Sequence, residues 1–214
     1  MTARQAATDY RFVYTDGVLN QMPSEESRTR SRTRLAILDA AVAVLGEDQS
    51  APLSQVATVA GVARSTLQRY FADRSALLAA LSTYATEKID DATHRAHVED
   101  GPALEALLRL ARELFDLGDI VMLVAPGWEN EAEEEESATD VALRSLLGRG
   151  RTEGTLDARF TAAWMEQLMW STLYTAWTHV RDHGASKHDS LAACLLSLSK
   201  SLGTGGQVGT GGQG

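Results

Sequence analysis

One stretch of sequence decides the fold: PLSQVATVAGVARSTLQRYFADRSALL, residues 52–78. Its apolar residues recur at the three- and four-residue steps of two short helices, one on each side of Gly61. Glycine adopts the positive φ that a tight turn between helices requires, and the small side chains of Ala57 and Ala60 let the helices cross closely. This layout is typical of a helix-turn-helix, whose second helix enters the major groove of DNA.

The second helix of this motif has a face that is rich in hydrogen-bond donors and holds no carboxylate. Leu67 and Phe71 are expected to turn inward, and the residues expected on the outside are Arg64, Ser65, Thr66, Gln68, Arg69 and Tyr70. Such a face suits a groove lined with phosphates. We expect bases to be contacted by Arg64, Ser65, Thr66 and Gln68, and phosphates mainly by Arg30, Arg34, Arg69 and Arg74.

The segment resembles the DNA-binding domain of the TetR family of bacterial transcriptional regulators, over roughly residues 33–80. The matching motifs are Val56-Ala57-x-x-Ala60-Gly61-Val62, Thr66-Leu67-x-Arg69-Tyr70-Phe71 and Arg74-x-x-Leu77-Leu78. Three positions depart from the family pattern. Ala63 replaces a capping serine, Gln68 replaces a tyrosine that commonly touches the DNA backbone, and Arg74 replaces a lysine but keeps a cation that would face phosphate. A helical hairpin that merely packs is the plain alternative, which the ordered run of matches disfavours.

Charge is unevenly distributed along this chain of 214 residues, whose formal net charge is −9. Residues 28–74 carry seven basic and four acidic side chains, whereas residues 99–214 carry nine basic and eighteen acidic ones. The basic part opens with Arg28, Arg30, Arg32 and Arg34. This asymmetry favours a partner anion at the N-terminal end, with a solvated arginine-rich leader as the plain alternative.

Composition excludes several other classes of protein. No apolar run approaches the roughly 18 residues of a membrane-spanning helix, and residues 1–20 lack the basic start and apolar run of a secretory signal. The single cysteine, Cys194, excludes an intramolecular disulfide and a cysteine-based zinc site, and we expect it to be a small buried side chain. We therefore expect a cytoplasmic protein that needs no cofactor and does not associate with a membrane.

The apolar spacing is helical almost throughout, which predicts an all-α fold of about nine helices. The helical patterns cover about residues 35–45 (with Gly46 as the C-cap), 52–60, 63–71, 75–94, 104–114, 131–149, 158–182 and 188–202, the last after a capping box from Ser186 to Asp189. Four regions are predicted: a flexible arm (1–27), a helix-turn-helix DNA-binding domain (28–74), a helical effector-binding and dimerisation domain (75–202) and a Gly-rich disordered tail (203–214).

The helix predicted over residues 158–182 is apolar on two faces, and both must be buried. One face carries Trp170, Leu173, Tyr174 and Trp177, the other Met165, Met169, Thr172 and Ala176, and the final helix adds Leu191, Leu195, Leu198 and Leu202. The family resemblance implies that the last two helices form a four-helix interface with a second copy, and that a small effector binds inside the C-terminal domain. Which face lines the cavity and which the dimer interface stays open at this stage.

The candidate walls of the effector cavity are aromatic residues and methionines: Phe115, Met122, Trp128, Met165, Met169, Trp170, Tyr174 and Trp177. This lining suits a large, apolar and adaptable ligand, although an aromatic stripe at helical spacing also fits plain core. Glu131 and the run Glu133–Glu136 are interpreted as a solvated face at a helix start, with a cationic effector as a weaker alternative. His179, His183 and His188 have chelating spacing but lack a completing glutamate, so no metal site is expected.

The sequence therefore favours a homodimeric, sequence-specific transcriptional regulator of double-stranded DNA. We expect a repressor that leaves a palindromic operator when a small apolar or aromatic effector binds. The helix starting near Ser75 would transmit that signal, because it joins the DNA-contacting residues to the cavity. A constitutive DNA-binding regulator without an effector is the alternative. A helical enzyme is disfavoured, because the sequence has no G-x-S-x-G, phosphate-loop, zinc or paired-carboxylate motif.

Overall fold

The computed structural model describes residues 25–123 and 136–204. Over these residues the chain forms nine α-helices and no strand, which confirms the predicted all-α class. They are α1 (Glu25–Glu47), α2 (Leu53–Val59), α3 (Arg64–Tyr70), α4 (Arg74–Arg95), α5 (Ala103–Phe115), α6 (Gly118–Leu123), α7 (Ala138–Glu153), α8 (Ala162–His183) and α9 (Lys187–Leu202). Within the two described ranges, no helix is both long and apolar enough to cross a membrane.

The first helix differs from its prediction at both ends. It begins at Glu25, inside the predicted flexible arm, and runs through Gly46 to Glu47, so the predicted C-cap at Gly46 is wrong. The chain turns one step later, where the Asp48 carboxylate accepts hydrogen bonds from the backbone and side chain of Ser50. Gly46 therefore lies close to the end of α1 but is not the residue at which the helix ends.

Two later helices also differ from the predicted bounds. The helix α7 begins after Ser137, which forms a capping box with Asp140, and continues past two glycines to Gly154 at φ +71°. The predicted start of this helix, residues 131–135, lies outside the described residues. The helix α6 was not predicted separately. By contrast, Ser186 caps α9 as predicted, since its side chain accepts a hydrogen bond from the Asp189 backbone N–H.

The core has two parts that meet along α4 and α6. In the first, α1, α2 and α3 enclose Ile37, Leu45, Val56 and Leu67, all fully or almost fully buried. In the second, α5 is the central helix, because α4, α6, α7, α8 and α9 all pack against it. The helix α1 also contacts α4 and α6, which places the three-helix unit against the larger part.

Candidate nucleic-acid interface

The turn between α2 and α3 has the predicted geometry. Gly61 lies at φ +67°, and no atom lies within 4 Å of the position that a Cβ would occupy there. Glycine is therefore needed for its backbone conformation rather than for space. The backbone N–H groups of Ala60, Gly61 and Val62 donate to carbonyls of α2, which fixes the direction in which α3 leaves the turn.

The recognition helix α3 presents the face that the sequence predicted. Leu67 and Phe71 are buried, whereas Arg64, Ser65, Gln68 and Arg69 are exposed and Thr66 and Tyr70 are half-buried. Ala63 stands at the N-cap and makes no side-chain capping bond, as expected for a position that has lost the family serine. The exposed face has donors and no acidic group, so it can meet phosphates without charge repulsion.

A recess of about 290 Å³ opens between the start of α2 and α3. Its walls are Pro52, Leu53, Ser54, Arg64, Leu67, Gln68, Ala72 and Asp73. Arg64 and Gln68, two of the predicted base-contacting residues, share its rim. The carboxylate of Asp73 is directed to the start of α4, where it accepts a hydrogen bond from the Ala76 N–H at 2.8 Å. Two of the four predicted base-contacting residues therefore lie together on one face.

The arginines that flank α3 are held in different ways. The guanidinium carbon of Arg34 lies 5.7 Å from the centroid of the Phe71 ring, so this residue of α1 sits beside the end of the recognition helix. The guanidinium carbon of Arg69 lies 5.9 Å from the Tyr70 ring centroid. Cation–π contacts of this kind leave the guanidinium N–H groups available to a ligand.

Arg74 forms hydrogen bonds within the chain in addition to its predicted role. Its Nη1 donates to the Ala51 carbonyl at 2.7 Å, and its Nη2 donates to the Gln49 carbonyl. The half-buried guanidinium is thus bonded to the loop between α1 and α2, and the predicted contact with phosphate stays a prediction. Arg74 fixes the start of α4 against this loop, so we expect it also to affect DNA binding indirectly.

The helix α4 is tied to α1 and α7 by side-chain hydrogen bonds. The Tyr84 hydroxyl donates to the Asp39 carboxylate of α1 at 2.6 Å, and burial together with this acceptor raises the pKa of Tyr84 above its ordinary value. Further along, the Asp90 carboxylate accepts from the Thr139 backbone N–H at 2.9 Å and from its hydroxyl at 2.6 Å. These bonds attach α4 both to the DNA-binding unit and to the start of α7.

The far end of α4 is held by two arginines, which we call the loop clamp. Arg109 of α5 donates to the carbonyls of Ala96, His97 and Asp100. Arg149 of α7 donates to the carbonyls of Val98, Glu99 and Gly101. Six carbonyls of the loop between α4 and α5 accept hydrogen bonds in this way. The same loop contains His97, whose φ of 45° is unusual for a residue other than glycine.

The candidate effector-binding residues do not all lie together. Phe115, Met165, Met169 and Trp177 are buried, Met122 and Trp170 are half-buried, Tyr174 is 40% exposed, and Trp128 lies outside the described residues. Phe115 and Trp177 stack with ring centroids 5.3 Å apart, and the indole N–H of Trp177 donates to the Phe115 carbonyl at 2.7 Å. These two rings form the buried contact between the end of α5 and α8.

A recess of about 130 Å³ lies where α1, α6 and α8 meet. It is lined by Val42, Ala43, Gly46, Glu47, Asp119, Met122, Trp177 and Arg181. Only Met122 and Trp177 belong to the predicted effector set, and the volume is below the roughly 300–1,000 Å³ of typical small-molecule sites. A ligand with several rings would therefore require this region to open.

Both apolar faces of α8 and part of the leucine stripe of α9 are used by the core of one protomer. Both predicted faces of α8 contribute to the core, through Met165 and Met169 on one and Leu173 and Trp177 on the other. In the predicted leucine stripe of α9, Leu198 and Leu202 are fully buried, and α9 packs against α5 and α8, whereas Leu191 and Leu195 are half-buried. The exposed large apolar side chains of this pair are Trp164 (54%), Tyr174 (40%) and Leu196 (55%).

Two smaller predictions can also be compared with the structure. Cys194 is a free, buried thiol, as predicted, and burial raises its pKa to about 11. Of the acidic cluster, only Glu136 lies within the described residues, and it pairs with Arg144 in α7. The rings of His179 and His183 lie 5.3 Å apart on the exposed end of α8.

The fold and the interface define a class of protein, a helical regulator whose N-terminal helix-turn-helix is joined to a larger all-α domain. No model of a known protein family matches the chain. The HTH-type transcriptional repressor LfrR of Mycolicibacterium smegmatis is 34% identical over 184 residues, which cover 84% of this chain and 95% of that protein. LfrR is a TetR-like regulator, and at this identity and coverage the chain belongs to the TetR family of transcriptional regulators. Its relatives are regulators and not enzymes.

Two solved structures support the same assignment at different levels. The crystal structure of LfrR from Mycobacterium smegmatis in complex with proflavine aligns with a TM-score of 0.61 and 31% identity, over 78% of this chain and 95% of that one. A TetR family regulator from Marinobacter aquaeolei VT8 aligns with a TM-score of 0.62 over 82% of this chain and 98% of that one. Its identity is 19%, so it supports the fold alone.

Proposed function

We propose that this protein is a homodimeric, sequence-specific DNA-binding repressor that releases a palindromic operator when a small apolar or aromatic effector binds. The observation that carries the proposal is the acid-free face of α3, where Arg64 and Gln68 share one recess while Leu67 and Phe71 anchor the helix in the core. Arginine and glutamine are side chains that can form bidentate contacts with guanine and adenine, respectively.

Within this function the DNA-binding set divides by role. We propose Arg64, Ser65, Thr66 and Gln68 as the base-contacting residues and Arg30, Arg34, Arg69 and Tyr70 as backbone-contacting residues, with Arg74 acting through the loop before α2. The proposed domains are residues 28–74 for DNA binding and residues 75–202 for effector binding and dimerisation. The protein would act on double-stranded DNA in the cytoplasm.

The proposed dimer uses the outward faces of α8 and α9. Trp164, Tyr174 and Leu196 are large apolar side chains that remain exposed in one protomer, and burying them against a second copy would remove apolar area from water. A two-fold dimer would place its two recognition helices in successive major grooves, about 34–36 Å apart. The operator would then be a palindrome.

The proposed effector site lies in the C-terminal domain around α5, α6 and α8. Buried rings and methionines line this region, with Phe115 stacked on Trp177, and the 31% identical LfrR was crystallised in complex with proflavine. Since the nearby recess holds only about 130 Å³, we propose that the described conformation is the closed one, and that an effector favours an opened one. A ligand can shift this equilibrium only through its different affinity for the two states.

The DNA-reading proposal is tested by selecting preferred sites from a random double-stranded library with the wild-type chain. Arg64→Ala and Gln68→Ala should then weaken the selected site by about 1–3 kcal/mol relative to a scrambled one. Arg112→Ala removes an exposed arginine of α5 and serves as the matched control, with no change in preference expected. If the two α3 variants lose affinity equally on selected and scrambled DNA, α3 is not the sequence-reading element.

The effector proposal is tested by reciprocity. Operator DNA and effector should weaken each other by the same factor, typically corresponding to 1–3 kcal/mol. Proflavine is the first probe, because it is the compound in the LfrR complex. Its binding should change tryptophan emission, and Trp177→Phe or Trp170→Phe should reduce that change. Equal affinity with and without saturating operator would favour the alternative, a constitutive regulator without an effector.

A further inference from the structure

Four metal-ligating side chains lie together where α4 ends, and we call them the His–acid cluster: His94, His97, Glu99 and Asp100. One ligand atom from each of His97, Glu99 and Asp100 lies within 4.8 Å of the other two. The His94 ring lies beside them, with its centroid 6.1 Å from that of His97. All four side chains are exposed. Over residues 25–123 and 136–204, no other group of three or more histidine, cysteine, aspartate or glutamate side chains is gathered this closely.

Two consecutive backbone turns produce this arrangement. The His97 N–H donates to the His94 carbonyl at 3.2 Å, and the Asp100 N–H donates to the His97 carbonyl at 3.0 Å. These turns fold residues 94–100 back on themselves, so Glu99 and Asp100 lie beside His97 rather than farther away. The loop clamp holds this backbone through its carbonyls. The side chains of the cluster therefore stay available to a ligand.

The separation of the three ligand atoms is close to that in a zinc site. Zinc binds imidazole nitrogen and carboxylate oxygen at about 2.0–2.2 Å, so two ligand atoms of a tetrahedral site lie about 3.4 Å apart. From separations of 4.8 Å or less, the atoms would have to approach one another by at most about 1.4 Å. Exposed side chains can make such an adjustment by rotation about their χ angles.

His94 is placed to supply a fourth ligand. Two imidazoles bound to one zinc at about 2.1 Å have ring centroids about 5–6 Å apart, and the rings of His94 and His97 are already at 6.1 Å. The Glu99 carboxylate lies 3.8 Å from Nδ1 of His97, which is longer than a hydrogen bond. A metal ion would therefore not have to break a short bond between these two groups.

The charge and the donor types of the cluster favour a divalent transition metal. Glu99 and Asp100 supply two negative charges, and imidazole nitrogen selects zinc and similar ions over magnesium and calcium, which prefer oxygen alone. The neighbouring Arg95 is paired with Glu113 at 2.9 Å, and Arg149 lies 3.7 Å from Glu153. Their positive charges are thus partly compensated by carboxylates outside the cluster.

Helix dipoles give a simpler account of these residues taken one at a time. His94 lies in the last turn of α4, where a cation is favourable, and Glu99 and Asp100 precede α5, where an anion is favourable. Neither effect requires the ligand atoms of three residues to lie within 4.8 Å of one another. The shared position favours a common ligand.

We propose that the His–acid cluster binds one divalent transition-metal ion per protomer, of the zinc type, through His97, Glu99 and Asp100, with His94 as the fourth ligand. The ion would join the last turn of α4 to the loop before α5. This proposal does not rest on the proposed function, because it concerns metal binding by residues 94–100 alone.

The test uses the full-length chain, freed of metal by a chelator that is then removed by dialysis. Zinc and, separately, magnesium are titrated by calorimetry, and thermal unfolding is followed with and without zinc. One variant is Glu99→Gln/Asp100→Asn, and a second is His97→Asn, because asparagine tolerates a positive φ. The matched control is His179→Gln/His183→Gln, which removes another close pair of histidine rings, 5.3 Å apart. The loop clamp uses backbone carbonyls, so both cluster variants keep its acceptors.

Wild type and the control should bind one zinc ion per protomer and unfold at a higher temperature with zinc, because the ion binds the folded cluster. Loss of a second-shell partner alone costs about 10–100-fold in metal affinity, so both cluster variants should bind zinc at least about 10-fold more weakly. Magnesium should bind wild type more weakly than zinc does. The proposal is overturned if wild type binds no zinc, if both cluster variants match wild type, if only the control loses binding, or if magnesium binds as tightly as zinc.

Discussion

The contact between Gly118 and Trp177 gives the sharpest stability prediction. Gly118 is the first residue of α6, and a Cβ placed on it would lie 1.4 Å from Cε2 and 1.8 Å from Cζ2 of the Trp177 indole. These distances put the added atom inside the ring. Neither group moves freely, because Gly118 is part of the α6 backbone and the Trp177 indole is hydrogen-bonded to the Phe115 carbonyl. In Gly118→Ala the indole must therefore leave its position.

The cost can be worked from the contacts that the indole would lose. The buried Phe115 carbonyl would be left without its 2.7 Å donor, which costs about 1–3 kcal/mol. The stacking at a centroid distance of 5.3 Å would be broken, which costs about 0.5–1.5 kcal/mol. Replacing glycine by alanine in a helix returns at most about 1 kcal/mol. We expect Gly118→Ala to lower the free energy of unfolding by roughly 1–4 kcal/mol.

The assay is urea unfolding at one fixed protomer concentration, because a dimer makes apparent stability depend on concentration. Gly148→Ala is the matched control: it lies in α7, and a Cβ there has no atom within 4 Å. It should be neutral or stabilise by up to about 1 kcal/mol. In a Trp177→Ala background, Gly118→Ala should cost far less, which a double-mutant cycle would measure as coupling. If Gly118→Ala changes stability by less than about 0.5 kcal/mol in the wild-type background, the packing argument is wrong.

The remaining predictions concern the dimer and the buried thiol. Leu196→Glu places a charge on the exposed face of α9 and should give monomers by light scattering. Val141→Glu, at an equally exposed apolar position on α7, should stay dimeric. A dimeric Leu196→Glu would contradict the proposed interface. Cys194 should react with a thiol reagent only as fast as the protein unfolds, because burial raises its pKa to about 11 from 9.0. Because the thiol has a higher pKa in the folded protein than in the unfolded chain, the free energy of unfolding should fall as the pH rises from about 9 toward 11. Cys194→Ala should reduce that fall, and an unchanged pH profile would exclude the thiol as its source.

Local features of the fold were predictable because local chemistry determines them. The turn at Gly61 required a positive φ, and the inward positions of Leu67 and Phe71 follow from helical spacing. The missing N-cap at Ala63 and the burial of Cys194 could also be predicted from single residues. The contribution of each α3 side chain to DNA binding remains a prediction.

Features that depend on distant partners were not predictable from spacing. Arg74 binds carbonyls 23 and 25 residues earlier in the chain, so no local pattern indicated these two hydrogen bonds. The apolar period of α9 predicted a buried stripe, but it could not distinguish burial against α5 from burial against a second copy. Gly118 likewise contacts a tryptophan 59 positions later, which spacing within α6 cannot reveal.

Because the loop clamp fixes the loop that follows α4, this helix can tilt about its C-terminal end. With the loop after its last turn secured by Arg109 and Arg149, a tilt of this 22-residue helix about that end is largest at its other end, where Arg74 is bonded to the loop before α2. A helix of that length is about 33 Å long, so a rotation of about 10° around the clamped end carries the start of α4 through about 6 Å. A rotation of about 10° is therefore sufficient to move the start of α4, and the recognition helix next to it, by about half the width of the major groove, which is about 12 Å.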